Sequence, residues 1–554
     1  MRNKLIHYIP FCVLFFTACS EETLPKDSPV SPDDEGVEII LNLAPQPLQT
    51  PAPATKSSTG SNNPNVLASS HGGAMDIELL AEQTAATTRA ETATSPATDA
   101  EKTIDNAWIF LFDGSTDNGN NPKLIKKLYK SDFQNDKGIK LIKKGDENAK
   151  QLFVVLANSF NSKLADALIV DNADGTNSSA SKYSDLKNLY STIDISTTQR
   201  IPMSDAANIK IPTNSETPIL LTVPVKRIAA KVTMSVKLAE TPPNNGQWTA
   251  QLCNVAPVYW FPTVDDKTAP FPASAQIFSV QNEENIEFTT TDGITSTTLT
   301  YYVPMNLRGT ASATSITGAD RVTYAPELAT YIRLTHNSEV GNVWTQRDYY
   351  IHLGANFTTD YNVLRNTHYT YKVTLYLNAE GDSRINNSTA VYAGMFSGEL
   401  QKGDDGVWQF TKELWVQTAN ESAKTVWGTN STASNSKTNG KANTLALKTV
   451  TAPQKCFDKN VRFDLIKSVN DYDYQWYLPS LSQLMGIWAA RNSITDAGSW
   501  SSCWTSTTVS SSDSYFVRCN GGFTEQLNKN SDNFNGDNIG VRCVKEKTKT
   551  ESNN

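Results

Sequence analysis

Residues 231–238 read KVTMSVKL, and their alternation is strict. Val232, Met234, Val236 and Leu238 fall on one side; Lys231, Thr233, Ser235 and Lys237 fall on the other. A period of two is the pattern of a strand with one buried face. The pattern recurs in 37–43, VEIILNL, where Val37, Ile39, Leu41 and Leu43 share a face, and again in 371–377. Residues 106–113, NAWIFLFD, and 151–158, QLFVVLAN, are continuous apolar runs, as expected of strands covered on both faces. Helical periodicity is sparse, with 162–170 and 184–191 the better candidates. Such a chain folds as mainly β, in sandwiches. Its 554 residues suggest about three domains.

The start of the chain is built differently. Arg2 and Lys4 precede a mostly apolar run, Leu5–Phe16, broken by His7 and Pro10. The run is short of the ~20 residues that a transmembrane helix needs, and it has the build of a secretory signal peptide. Thr17-Ala18-Cys19 resembles a bacterial lipobox, with Phe16 in place of the usual Leu. The resemblance implies cleavage before Cys19 and acylation of its thiol. Two or three acyl chains at ~0.8 kcal/mol per buried CH2 anchor a protein firmly. Ser20-Glu21-Glu22 resembles the acidic surface-export signal of Bacteroidetes lipoproteins. A net charge of −8 argues against nucleic acid as a partner.

Residues 20–36 are polar and Pro-containing and read as a tether. Residues 45–103 are rich in Pro, Ala, Ser and Thr and read as a long mobile loop, apart from a short apolar piece at 75–80. The strand at 37–43 is therefore joined to the rest of its domain by an unusually long connection.

Ile201-Pro202-Met203-Ser204, followed by Val223 to Val232 (VPVKRIAAKV), resembles the "PMSG … R-x-x-AK" centre of Bacteroidales fimbrillins. Tyr302-Val303-Pro304-Met305-Asn306 is similar to their "YVPEN" strand end. His352-Leu353-Gly354 and Asp360 to Tyr369 (DYNVLRNTHY) are similar to "LG … D-x-N-V-x-RN-x-x-Y". Asp205 stands where the family usually has Gly, and Met305 where it often has Glu. The order holds over roughly 37–390. The resemblance implies two tandem β-sandwich domains, at 37–225 and 226–395, in a type V pilus subunit exported as a lipoprotein. It further implies that an Arg-specific protease cuts after the first strand and that a partner subunit's strand fills the groove. Arg89 is the one Arg between Cys19 and the strand at Asn106, which makes it the candidate cut; the removable part is then the strand and linker of 37–89.

From about Phe396 the composition changes. The segment 396–554 holds seven of the eleven tryptophans and four of the seven cysteines. Trp476 to Leu484 (WYLPSLSQL) resembles the "WRLPTxxEL" motif of a C-type-lectin-like fold, with Tyr477 in place of Arg. Trp504-Thr505-Ser506-Thr507 is similar to its "YWSST" strand, and Gly540 to Val544 to its final "VRCVR" strand. A mixed α+β adhesive domain is thus expected. Ser480 and Gln483 form a capping box, and Leu481, Leu484, Met485, Ile487 and Trp488 give the following helix one apolar side. A hairpin turning near Ser511 sets Cys503 opposite Cys519, which leaves Cys456 to pair with Cys543. Cys519–Cys543 is the rival pairing, since four cysteines allow three connectivities.

Catalytic signatures are missing. No histidine follows Phe396, and the chain has no nucleophile elbow, HExxH or P-loop, so neither enzymatic activity nor a cofactor or metal is expected. The run 528–538, NKNSDNFNGDN, with Asp532 and Asp537, offers oxygens to calcium or glycan but misses the EF-hand spacing, and such runs are more often solvated loops. Trp500 and Trp504 are sugar-stacking candidates or core residues. The expectation is a tip or accessory pilus subunit mediating adhesion. Its partners would be other pilus subunits, an Arg-specific protease, and a host or bacterial surface glycan or protein. The alternative is a non-polymerising surface lipoprotein.

Overall fold

The computed structural model describes residues 36–51, 65–81, 98–113, 121–135, 137–142, 150–171, 176–191, 200–210, 218–240, 246–256, 259–260, 283–291, 293–311, 316–341, 343–377, 381–392, 400–402, 408–410, 413–429, 435–459, 476–491, 502–518 and 523–547. The lipobox with Cys19, Arg89, Trp500 and Cys519 lie outside them. Among the described residues no helix is long and apolar enough to cross a membrane.

The protein is mainly β, as its period-two segments require. The first sandwich has two layers. One holds Leu124–Lys130, Ala107–Asp113, Lys150–Ala157 and Met203–Lys210 in that order. The other is three-stranded, with Gly36–Pro45 at its centre, between Ile219–Arg227 and Gly138–Ile142. The layers share Ile219–Arg227, which pairs with Gly36–Pro45 over residues 219–225 and with Met203–Lys210 only at its last two residues. Ile39, Leu41, Ile109, Phe153, Val155 and Val223 meet in the core between them. The other face of the apolar runs is covered too. Trp108, Phe110, Phe112, Val154 and Leu156 pack under a turn segment and the 3-10 helix Tyr183–Asn188. The segment expected to be helical at 162–170 forms turns over 162–167 and irregular chain beyond, so only the second helix candidate forms, as 3-10. Trp108 and Ala165 hold that segment by burial, and burial needs no helix.

The second sandwich faces a six-stranded sheet against an eight-stranded one. The first runs Thr289–Thr291, Ile294–Pro304, Ala229–Leu238, His368–Leu375, Met75–Leu80, Val66–Ser70. Val232, Met234 and Val236 are fully buried, as their alternation predicts. The reading of 45–103 as a loop is corrected by Val66–Ser70 and Met75–Leu80. These strands form a hairpin on the second sandwich, and Met75, Ile77 and Leu79 enter its core. The Ser- and Thr-rich flanks hid a strand with only three core-facing apolar residues, Met75, Ile77 and Leu79.

The eight-stranded sheet continues past residue 395. Its order is Glu284–Ile286, Gln247–Cys253, Tyr331–Val340, Val343–His352, Ile385–Tyr392, Glu413–Gln417, Val544–Lys547, Trp476–Tyr477. The last three belong to the C-terminal part, so its first strand augments the second sandwich. A five-stranded sheet centred on Ser502–Thr508 and the helices Gly440–Ala446, Thr451–Phe457 and Leu481–Ala490 complete that part. The last helix starts on the expected capping box of Ser480 and Gln483. Trp415, Trp427, Trp476 and Trp504 share its core.

Candidate functional site

The most informative site is the place of the Gly36–Pro45 strand. It runs parallel to Ile219–Arg227, with Ile39 opposite Ile219 and Pro45 opposite Val225, and antiparallel to Gly138–Ile142, with Ile39 opposite Ile139. Ile39 and Leu41 are fully buried and Leu43 nearly so, while Ile40 and Leu220 lie outward as an exposed pair. The alternation read from the sequence thus sets which side chains fill the core. A cavity of 310 Å³ lies beside Asn42 and Leu43, against Ile104 and Phe133. Without this strand, the three-stranded layer loses its middle. Two ladders are then left open, with three apolar sockets between them.

Where the strand ends, it crosses to the junction of the two sandwiches, and the motif residues converge there. Arg227 is 2% exposed. Its Nη1 donates to Gln46 O at 2.7 Å and its Nη2 to Glu101 O at 2.7 Å. Asn366 adopts φ of +52°, a conformation that Asn tolerates better than most residues. Its Nδ2 donates to Pro47 O at 2.8 Å, and its carbonyl accepts from Gln49 N–H at 2.7 Å. His368 N–H in turn donates to Gln49 O at 2.8 Å. Arg365 reaches Ser204 Oγ at 3.2 Å. Arg227 and, far from it in sequence, Asn366 and His368 clamp one short stretch, Gln46–Gln49.

Glu101 completes the junction, and sequence reasoning missed it. It sits in the one-turn helix Asp99–Lys102 and is fully buried. Lys231 Nζ lies 3.2 Å from its Oε1, and the Tyr302 hydroxyl donates to the same oxygen at 2.9 Å. Burial opposes its ionisation, but the Thr98 N–H, Lys231 and Tyr302 outweigh that and hold its pKa below the usual carboxylate value. Burial likewise lowers the pKa of Arg227, and the nearby Glu101 charge resists the shift.

The C-terminal part corrects several expectations. Trp504 is fully buried; its Nε1 donates to Thr425 O at 2.7 Å and its ring meets Phe516 edge-on, so it is a core residue and not a ligand platform. Asp532 faces Lys424 at 3.5 Å and Asp537 faces Arg518 at 3.2 Å. Both carboxylates lie beside the Asn535-Gly536 hairpin turn, and no cluster of metal-ligating residues occurs among the described residues. Cys456 and Cys543 are disulfide-bonded. Cys503 is a buried thiol whose Sγ is directed at Asn420 Oδ1. In the hairpin it lies opposite Val517, with a register shift between Trp504 and Thr508, and its expected partner Cys519 lies outside the described residues.

The family described as "Domain of unknown function (DUF4906)" matches residues 301–373, which include the second and third of the motifs above. No curated protein matches the chain. Among solved structures, the tip fimbrial protein Mfa3 from Porphyromonas gingivalis with C-terminal truncation is 16% identical. That match covers 53% of this chain and 95% of that one, with a TM-score of 0.31. A fimbrial assembly protein from Parabacteroides distasonis is 15% identical, covering 54% of this chain and 91% of that one, with a TM-score of 0.32. At those values the likeness carries no residue's role to this chain.

Proposed function

We propose that the chain is the tip subunit, or another accessory subunit, of a type V pilus, exported as a lipoprotein acylated at Cys19 and assembled by strand exchange. One observation carries the reading: the state of the last described strand. Val544–Lys547 is hydrogen-bonded on both sides, to Glu413–Gln417 and to Trp476–Tyr477. Cys543, just before it, is covalently bonded to Cys456. A strand that is donated must leave its own subunit, and this one is held by two ladders and a disulfide. The Gly36–Pro45 strand is held by hydrogen bonds and packing alone once the chain after it is cut.

Such a subunit accepts a donor strand in the first sandwich and donates none from its C-terminal part. It ends the fibre and presents residues 396–554 outward, toward a surface glycan or protein. The fimbrillin-like motifs support the reading, because their residues clamp the segment that follows the removable strand. Immunogold labelling of native fibres is the test. One label per fibre, at the end far from the cell, is expected. Label along the shaft removes the tip assignment. Label on the cell surface with no fibre association favours the non-polymerising lipoprotein. Membrane fractionation of Cys19→Ala tests the anchor; unchanged anchoring refutes the lipobox.

A further inference from the structure

We propose that the socket of Leu43 in the first sandwich is shaped for an aromatic side chain with a polar edge, tyrosine or tryptophan, carried by the strand that a neighbouring subunit donates. This rests on the strand-exchange reading and names the chemistry of the incoming strand. The inward sockets of Ile39 and Leu41 are filled by those side chains, which are fully buried. The socket of Leu43 is not filled. The 310 Å³ cavity opens beside that residue, and its volume reaches the lower end of the range of small-ligand sites.

The cause is where the neighbouring ladder stops. Gly138–Ile142 pairs with the first strand from Gly36 to Ile40 only, and just past that point Lys137 O accepts from Leu41 N–H at 3.0 Å. Beyond it, Asn42 and Leu43 are flanked by residues 102–104 and by Phe133, Gln134 and Lys137, and these leave the cavity between themselves and the leucine.

The lining has two chemistries. Ile104 and Phe133 are buried members of the same core as Leu43 and offer an apolar floor. Lys102, Gln134 and Lys137 are exposed and form the mouth. An aliphatic side chain uses the floor and nothing else. A tyrosine or tryptophan lays its ring on the floor and brings its O–H or N–H to the wet mouth, which suits these rings with one apolar and one polar end. The two lysines favour the electron-rich face of a ring and disfavour a basic side chain. The resident strand is therefore a loose ligand of its own groove at this socket, and a donor with the ring binds the groove better than the strand it replaces.

The full chain tests the socket. Leu43→Trp is expected to slow hydrogen exchange along Ile219–Arg227 and Gly138–Ile142 by about tenfold, the return on burying most of an added ring. Leu41→Trp, at a filled socket, is expected to speed it, because overpacking strains the core. Unchanged or faster exchange in Leu43→Trp overturns the inference. Native fibres test the partner: Gln134 is replaced by a photo-crosslinking residue, and the bonded site is read by peptide mass spectrometry. A crosslink to a tyrosine or tryptophan of another polypeptide is expected. A crosslinked donor strand with no such ring at that socket overturns the inference and leaves strand exchange standing. A crosslinked non-peptide molecule marks a small-molecule site and also overturns it. A crosslink to residues 36–45 of the same chain overturns strand exchange itself, and the inference with it.

Discussion

At the scale of single residues, two buried charges and one buried imidazole set the protein's sensitivities. Arg227 links Gln46, Glu101 and Asn366, so Arg227→Met leaves the backbone carbonyls of Gln46 and Glu101 and the Asn366 side-chain oxygen without its guanidinium donor, and removes the buried positive charge beside the Glu101 carboxylate. Breaking one side of a buried charged cluster costs ~3–5 kcal/mol, and a denaturant midpoint shift of that size is expected. His336 is 1% exposed, its ring lies 4.7 Å from Trp248, and neither ring nitrogen has a partner among the described residues. Burial first, and Arg347 second, push its pKa down from 6.5 to about 4. The folded state therefore binds the proton more weakly than the unfolded chain. Its full stability is present above pH 6.5 and falls by roughly 3 kcal/mol as pH drops to 4. His336→Phe keeps the ring contact and should flatten thermal stability across that window; an unchanged slope would show that other groups dominate. Glu101 acts in the same direction at lower pH, since its depressed pKa means that its contribution is lost on acidification below the carboxylate range.

At the scale of elements, the first strand is a detachable part of a core. Leu41 is fully buried in it. Leu41→Ala should weaken strand retention by ~2–5 kcal/mol, seen as faster hydrogen exchange along Ile219–Arg227 and Gly138–Ile142. Leu220→Ala, on the exposed outer face of the same ladder, should change little. The final strand is the contrasting case. The bond between Cys456 and Cys543 closes a sequence separation of 87. Removing a native disulfide of this kind costs about 2–5 kcal/mol, so Cys543→Ser should lower the melting temperature of the joint transition of the second sandwich and the C-terminal part and loosen Val544–Lys547. If a donor-strand role were open to this segment, the same variant would gain it and label the fibre shaft.

At the scale of the whole molecule, the second sandwich and the C-terminal part are joined through one sheet and unfold together. Ile385–Tyr392 pairs directly with Glu413–Gln417, and Trp344 packs at 5.5 Å from Trp476 across that boundary. Deletion of 396–554 bares this edge together with Trp344, Ala390 and Val391, all buried in the intact chain. The truncated protein should self-associate on size exclusion, whereas two well-separated thermal transitions in the full chain would contradict the coupling.

The period of two, read at 37–43 and 231–238, was enough to establish the strands, their buried faces and the mainly β class, because alternation is a local consequence of the pleat. The capping box at Ser480 was legible for the same reason: it spans three residues. Arg227 and Asn366 were visible as motif residues, but not as a clamp on Gln46–Gln49. Their meeting needs contacts across more than 100 residues of chain, and no local pattern encodes those. The hairpin Val66–Leu80 was seen only as a short apolar piece at 75–80 because its runs are short and flanked by polar chain; pairing with His368–Leu375 decides that it is a strand. The role of Trp504 was undecided in sequence, since a sugar platform and a core anchor use the same ring, and only its burial against Phe516 and Thr425 separates them. Sequence alone therefore determined the local geometry of each strand and the order of the parts. Tertiary structure decided which core each N-terminal strand fills and which end of the chain is locked, because both depend on pairings between distant segments.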